Sequence, residues 1–173
     1  MKAAIIVPNS EFRDEAVSMS KLIFGKWGVD AHVIAESMAA CRGSHGAVYK
    51  AEGTIDALDP NAYNAIILVD GEGINTQKLY DNRKLADTLK KFNAAEKPIC
   101  AIGNAVKILA RANVIDGKKI AVPDNEEIQR IVGIYRGLPT KEKLVFDKNI
   151  VTLRDDDSIQ QALSLILAHL GMR

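Results

Sequence analysis

Cysteine is scarce in this sequence. Cys41 and Cys100 are the only two cysteines in 173 residues, and they lie far apart, without the paired spacing of a zinc site or a disulfide framework. The sequence therefore excludes a small domain held together by disulfides and indicates a protein of a reducing compartment.

A surplus of one charge sign is missing as well. The chain carries 23 Lys and Arg residues against 22 Asp and Glu residues, a formal net charge of +1. No overall field would hold such a chain on nucleic acid or on an acidic membrane, so we expect a small molecule or a protein as its partner.

Long apolar runs are also absent from the sequence. The first residues, MKAAIIVPNSEF, contain only a short apolar run, too short for a signal-peptide core or a membrane span. No other segment approaches the length of a span, and we expect a soluble cytoplasmic protein with no membrane partner.

The sequence lacks a metal or phosphate motif. No two of His32, His45 and His169 lie within one helical turn, so their spacing gives no metal site. The turn DGEG, residues 70 to 73, carries two carboxylates that would repel a phosphate. The acidic run at residues 155 to 157 is interpreted as a solvated loop that favours the start of the last helix. We therefore expect neither a metal nor a cofactor.

Short, continuous apolar runs recur along the chain. Such runs are typical of strands buried on both faces, as in parallel sheets, with helices between them. They predict a doubly wound α/β domain that spans residues 1–173. The predicted strands are Ala3 to Val7, Ala31 to Ala35, Ala65 to Val69, Ile99 to Ile102, Lys119 to Val122, and Ile150 to Leu153.

The segments between these runs predict helices and one irregular insertion. Leu85, Leu89 and Phe92 share one helical stripe, and a wider stripe begins at Ile159, with Ser158 as its N-cap and Gly171 as its stop. Between Glu36 and Leu58 the pattern weakens, and we predict a small antiparallel excursion there.

Three segments resemble the ThiJ/PfpI superfamily. They are YNAIILVDGEG, EKPICAIGNAVKILARANVIDGKKI and DKNIVTLR, and the similarity runs nearly end to end. The resemblance implies a flavodoxin-like fold of the class I glutamine amidotransferase type, in which helices sandwich a mostly parallel sheet. It also implies a homodimer or larger homo-oligomer and a reactive cysteine at a strand-to-helix turn.

The sequence departs from that family where the chemistry would occur. The family motif Ala-Ile-Cys-His-Gly-Pro falls on residues 101 to 106, so that Gly103 and Asn104 replace cysteine and histidine. The family's Pro-Gly-Gly corresponds to residues 69 to 71, with Asp70 and Gly71 in it. The family's first acidic residue becomes Arg13, although a shift of one residue would give the acid role to Glu15.

These departures predict a degenerate active site in an intracellular protease-like scaffold, that is, a pseudoenzyme. We expect a non-catalytic binding or regulatory protein whose pocket comprises Gly103, Asn104, Asp70, Gly71 and Glu72. The helix that starts after Gly103 would favour an anion, so a small anionic or carbonyl ligand fits this pocket.

Two enzymatic alternatives remain open at this point. The chain could be a cysteine-dependent hydrolase, a peptidase or amidase, or a glyoxalase-like enzyme that uses Cys100 or Cys41. Cys100 lies in an apolar run typical of a buried thiol, and Cys41 has Arg42 beside it. Acid–base chemistry by Glu15, Asp70 and Glu72 would require one carboxyl group with a raised pKa.

Overall fold

A seven-stranded sheet forms the centre of the protein in a computed structural model that describes residues 1–172. Its strands, in spatial order, pair in parallel except for the first two, which are antiparallel. The order is β11 (Leu144–Asp147), β12 (Ile150–Leu153), β8 (Ile99–Ile102), β7 (Ala65–Leu68), β1 (Lys2–Ile6), β3 (Asp30–Ala35) and β6 (Gly53–Thr54). This confirms the predicted α/β architecture.

Helices cover both faces of the sheet. The helices are α1 (Asp14–Lys26), the short α2 (Gly73–Thr76), α3 (Arg83–Ala94), α4 (Val106–Arg111), α5 (Glu126–Ile134) and α6 (Ile159–His169). Residues of α1 and α6 pack in one buried cluster, and residues of α3, α4 and α5 pack in a second cluster on the other face. Among residues 1–172, none of these helices has both the length and the apolar character needed to cross a bilayer.

Strand β1 shows why the apolar runs are continuous. Ala3 and Ile5 belong to the cluster beneath α1 and α6, whereas Ala4 and Ile6 belong to the opposite cluster. Successive side chains of a strand point to opposite faces. All four residues are at most 1% exposed, so both faces require apolar residues.

The ends of the helices follow from their sequences, with one correction. Gly171 adopts φ +83°, and the N–H of Met172 donates to the carbonyl of Leu167 at 2.9 Å, so α6 stops as predicted, in a Schellman motif. Ser158 occupies the predicted N-cap position but makes no capping hydrogen bond with its side chain. Asp155 instead caps the 3₁₀ turn Asp156–Ser158 that precedes α6.

One predicted strand belongs to a different sheet. Strand β9 (Lys119–Ala121) pairs in parallel with β10 (Leu138–Thr140) and not with the central sheet. The antiparallel return of β11 occupies the edge beside β12, and the N–H of Ala121 donates to Thr152 Oγ1 at 2.8 Å. The prediction of a strand at Lys119 to Val122 is confirmed, whereas its expected place in the central sheet is wrong.

The irregular region between residues 36 and 58 contains the expected antiparallel element. Strands β4 (Cys41–Gly43) and β5 (Val48–Tyr49) form a hairpin, and β2 (Ser10–Phe12) joins it in parallel to give a three-stranded sheet. This small sheet lies against the loop that leads into α1, which brings its turn close to Asp14.

Candidate functional site

Four loops meet at the carboxyl edge of the central sheet. Asp70 follows β7, the turn at Gly103 and Asn104 follows β8, and Asp156 follows β12. Arg13 immediately precedes α1. The turn formed by Gly103 and Asn104 is called the elbow below, and ligand sites of doubly wound sheets lie at this edge.

The backbone of the elbow suits glycine. Gly103 adopts φ +55°, in the left-handed region that side-chain-bearing residues rarely occupy. A Cβ atom added to Gly103 would lie 2.1 Å from Asp70 Oδ2. The Asp70 carboxylate thus fills the space into which a side chain at position 103 would project.

Three N–H groups hold the Asp70 carboxylate in this space. Asp70 Oδ1 accepts hydrogen bonds from the backbone N–H of Gly71 at 2.7 Å, from the backbone N–H of Asn104 at 3.0 Å, and from Asn104 Nδ2 at 3.0 Å. The Asp70 carboxylate thus lies against the N–H groups of Asn104, where the sequence predicts a small anionic or carbonyl ligand.

Burial raises the pKa of the Asp70 carboxyl group above its ordinary value. The hydrogen bonds from Asn104 and Gly71 and the charge of Arg13 act in the opposite direction but do not outweigh burial. Asp70 is thus the carboxyl group in the predicted pocket with a raised pKa.

Arg13 and Asp156 form a second charged contact at the same edge. Arg13 Nε donates to Asp156 Oδ2 at 3.1 Å, and the Arg13 backbone N–H donates to the carbonyl of Asp70 at 2.8 Å. Asp156 Oδ1 is buried and has no hydrogen-bond partner within the described part of the chain. Burial raises the pKa of Asp156, the Asp70 charge acts in the same direction, and Arg13 opposes the shift.

Sequence reasoning missed this contact. In the sequence, Arg13 stands where the resembled family has an acidic residue, and the acidic run at residues 155 to 157 predicts a solvated loop. The position of Asp156 after β12 was a usable signal, because parallel strands β8 and β12 end at the same edge of the sheet.

Glu15 pairs with His45, and its charge also contributes to the raised pKa of Asp156. Glu15 Oε1 lies 2.7 Å from His45 Nδ1, and both side chains are more than half exposed. A backbone N–H bond and the His45 side chain lower the pKa of Glu15. These contacts give Glu15 no hydrogen bond to the elbow, so the acid role suggested for it gains no support from them.

Asp14 has a structural role in the hairpin of β4 and β5. Its carboxylate accepts hydrogen bonds from the N–H groups of His45 at 3.1 Å and Ala47 at 2.8 Å. Burial would raise the pKa of Asp14, but these two bonds, the charge of His45 and the backbone N–H of Asp14 together outweigh it and lower the pKa. A Cβ atom at Gly43 would meet the same carboxylate, which explains the glycine there.

The predicted pocket residues are only partly brought together. Gly103, Asn104, Asp70 and Gly71 form one hydrogen-bonded group. Glu72 is exposed, and its carboxylate accepts a bond from Asn75 Nδ2 at 3.5 Å.

Both thiols lie in the core. Cys100 is fully buried in β8, and burial raises the pKa of its thiol to about 12. Cys41 is also buried, which raises its thiol pKa against a weak opposing contact from Asn9 Nδ2 at 3.7 Å. A thiolate is the reactive form, so burial disfavours both as nucleophiles.

The described residues contain no group of three or more His, Cys, Asp or Glu side chains placed to hold a metal ion. Asp70 Oδ1 accepts from N–H donors and Asp156 Oδ2 pairs with Arg13.

A comparison with known families matches nearly the whole chain. A model described as the DJ-1/PfpI family matches residues 1–168. The chain belongs to the DJ-1/PfpI family. A ThiJ/PfpI domain protein from Brachyspira murdochii superposes with a TM-score of 0.90 at 22% sequence identity, over 98% of this chain and 96% of that one.

Two curated proteins are similar to this chain in sequence. An uncharacterized protein of Methanocaldococcus jannaschii is 30% identical over 160 residues, which cover 90% of this chain and 76% of that protein. A protein of Pyrococcus horikoshii named as a deglycase is 25% identical over 119 residues, which cover 69% of this chain and 70% of that protein.

Proposed function

We propose that this DJ-1/PfpI protein performs no cysteine chemistry at its elbow and acts as a binding or regulatory member of the family. The observation that carries the proposal is the position of Asp70. Its carboxylate fills the space beside Gly103 and is fixed there by three N–H donors. A nucleophilic side chain at position 103, or a small anion that binds the same N–H groups, would have to displace the Asp70 carboxylate.

The cysteine-dependent alternative competes with this proposal. The name of the Pyrococcus horikoshii relative supports a deglycase, and the resemblance supports a peptidase, amidase or glyoxalase-like enzyme. Such an activity would need Cys100 or Cys41, and nucleophilic catalysis needs an accessible thiolate beside a base. The burial of both thiols counts against it.

Acid–base catalysis by Asp70 is a second candidate function. One observation favours it: burial raises the pKa of Asp70, and a general acid or base functions best when its pKa lies near the working pH. The elbow already uses Asp70 Oδ1 for three hydrogen bonds, which leaves Oδ2 as the reactive oxygen.

Turnover of methylglyoxal and of a fluorogenic peptide separates these functions. The native protein, a Cys41→Ser, Cys100→Ser double variant and Asp70→Asn are compared. We expect no turnover above background from any of them. Activity lost only in the double variant would establish a relocated thiol nucleophile, and activity lost only in Asp70→Asn would establish acid–base catalysis.

A second pair of variants tests whether the Asp70 carboxylate blocks the space beside Gly103. We expect iodoacetamide to label Gly103→Cys combined with Asp70→Gly faster than Gly103→Cys alone, because the carboxylate no longer occupies the space. The Cys41→Ser, Cys100→Ser background removes other thiols. Equal labelling of the two variants would show that Asp70 does not block the elbow.

The homo-oligomer implied by the family resemblance stays a prediction. Sedimentation velocity on the purified chain tests it, with a mass of at least twice the 18.8 kDa of one chain as the expected result.

A further inference from the structure

An open cleft lies at the opposite end of β8 from the elbow. It has a volume of about 820 Å³ and is lined by residues that include Asn93, Lys118, Lys148, Asn149 and His169. The N–H of Ile99, the first residue of β8, donates to the carbonyl of Asn149 at 2.9 Å. The cleft is thus separated from the elbow by the length of that strand.

Lys118 is a buried cation in this cleft without a carboxylate partner. It is 8% exposed, and its ammonium donates to Asn93 Oδ1 at 2.8 Å and to the carbonyl of Val114 at 3.2 Å. Both acceptors are neutral. No ion pair within residues 1–172 involves Lys118, although buried lysines are ordinarily paired.

Lys148 places a second positive charge at the same cleft. Burial lowers the pKa of Lys118, the Lys148 charge acts in the same direction, and Asp147 opposes them. The Asp147 carboxylate is already engaged by the backbone N–H of Lys119 at 2.9 Å. Glu96 also lines the cleft, but it is exposed and forms no ion pair with either lysine in the described chain.

Two polar side chains of the cleft, Lys118 and Asn149, have N–H groups without an acceptor in the described part of the chain. An ammonium has three N–H groups, and Lys118 uses two of them. The Asn149 amide uses one N–H, which donates to the carbonyl of Lys97 at 2.9 Å. His169 Nε2 donates to the carbonyl of Glu96 at 2.9 Å.

We propose that this cleft binds the oxyanion of a small metabolite, a phosphate or a carboxylate group, between Lys118 and Lys148. An oxyanion would accept a hydrogen bond from the unused N–H of Lys118 and would pair with a cation whose two hydrogen-bond acceptors in the protein are neutral. Charge-assisted hydrogen bonds of this kind are the strong ones, and partial burial reduces their screening by water. The site is independent of the elbow and of the function proposed for it.

Titration followed by NMR tests the site. The ¹⁵N-labelled full chain is titrated with inorganic phosphate and, separately, with acetate, against sodium chloride at equal ionic strength. We expect saturable shifts in the amides of Lys118 and Asn149, and a rise in the Lys118 pKa on binding. A response to phosphate alone assigns a phosphate ligand, and a response to acetate alone assigns a carboxylate ligand.

Two methionine variants test the contribution of each lysine, and a third is the control. Lys118→Met and Lys148→Met should each weaken binding about tenfold or more, the loss expected for one charged hydrogen bond, whereas the distant exposed Lys50→Met should leave it unchanged. Lys148 is exposed, so its variant keeps the test valid if Lys118→Met does not fold. Shifts that do not saturate with either anion, or that survive in Lys148→Met and in a folded Lys118→Met, would overturn the proposal.

Discussion

The carboxylate of Asp70 lies against the backbone of Gly103, and this contact makes the two positions interdependent. Glycine permits φ +55° at position 103, and its missing Cβ leaves the space that Asp70 Oδ2 occupies. Asn104 contributes two of the three N–H groups that keep the carboxylate there. Conformation and packing therefore favour glycine for separate reasons.

Gly103→Ala should destabilise the protein. The left-handed backbone alone costs a residue with a side chain about 1–3 kcal/mol, and displacement of a hydrogen-bonded carboxylate adds to this loss. Urea denaturation measures the free energy of unfolding. In the Asp70→Gly background the same change should cost less, because the steric part is removed.

Gly25→Ala is the matched control for that substitution. Gly25 lies within α1, and an added Cβ there meets no atom within 4 Å. We expect a gain of about 0.5–1 kcal/mol, since alanine is the better helix former. A loss at Gly25 equal to that at Gly103 would contradict the account given for the elbow.

At the scale of secondary-structure elements, Asp14 connects α1 to the hairpin of β4 and β5. Its carboxylate, in the first turn of the helix, accepts hydrogen bonds from two N–H groups of the hairpin turn. The same carboxylate is favoured by the helix dipole. The hairpin is short, and these two bonds join its turn directly to the helix.

Asp14→Ala should loosen this hairpin. Loss of two hydrogen bonds to a charged acceptor is expected to cost about 2–4 kcal/mol in the free energy of unfolding. Amide hydrogen exchange should accelerate most at His45 and Ala47. Glu15→Ala is the neighbouring control, and it should change stability by less than about 0.5 kcal/mol because the Glu15–His45 pair is exposed.

The elements also show how far the sequence alone can lead. The apolar runs predicted the strands because burial on both faces demands them, and the departure at Gly103 and Asn104 was visible in the order of residues. The pairing of the strands was harder to predict. Strand β11 occupies the edge of the central sheet beside β12, and β9 therefore pairs with β10 in a separate sheet. The contact between Arg13 and Asp156 spans 143 residues and depends on the direction of both side chains, which no local pattern encodes.

At the scale of the whole molecule, the reactivity of both cysteines depends on whether one buried cluster stays packed. Cys41 and Cys100 belong to the same buried cluster, the one that α1 and α6 cover. Neither thiol reaches solvent while that layer stays packed. Their reactivity therefore measures how often the layer opens.

Thiol labelling with a chromogenic disulfide should be slow in the native protein and complete in denaturant. Cys100, with a thiol pKa raised to about 12, should react only as fast as the protein unfolds. Ser18→Cys, on the exposed side of α1, should label at once and serves as the accessible control. Rapid native labelling at Cys100 would show that the core opens locally.

The contact of Asp70 with Gly103 also fixes the order in which a thiol could be engineered into this turn. A cysteine introduced at position 103 alone would meet the Asp70 carboxylate, so the protein would lose stability whether or not the thiol could react. Residue 70 therefore has to be shortened first. A redesign that starts from this scaffold needs two coordinated substitutions and not one.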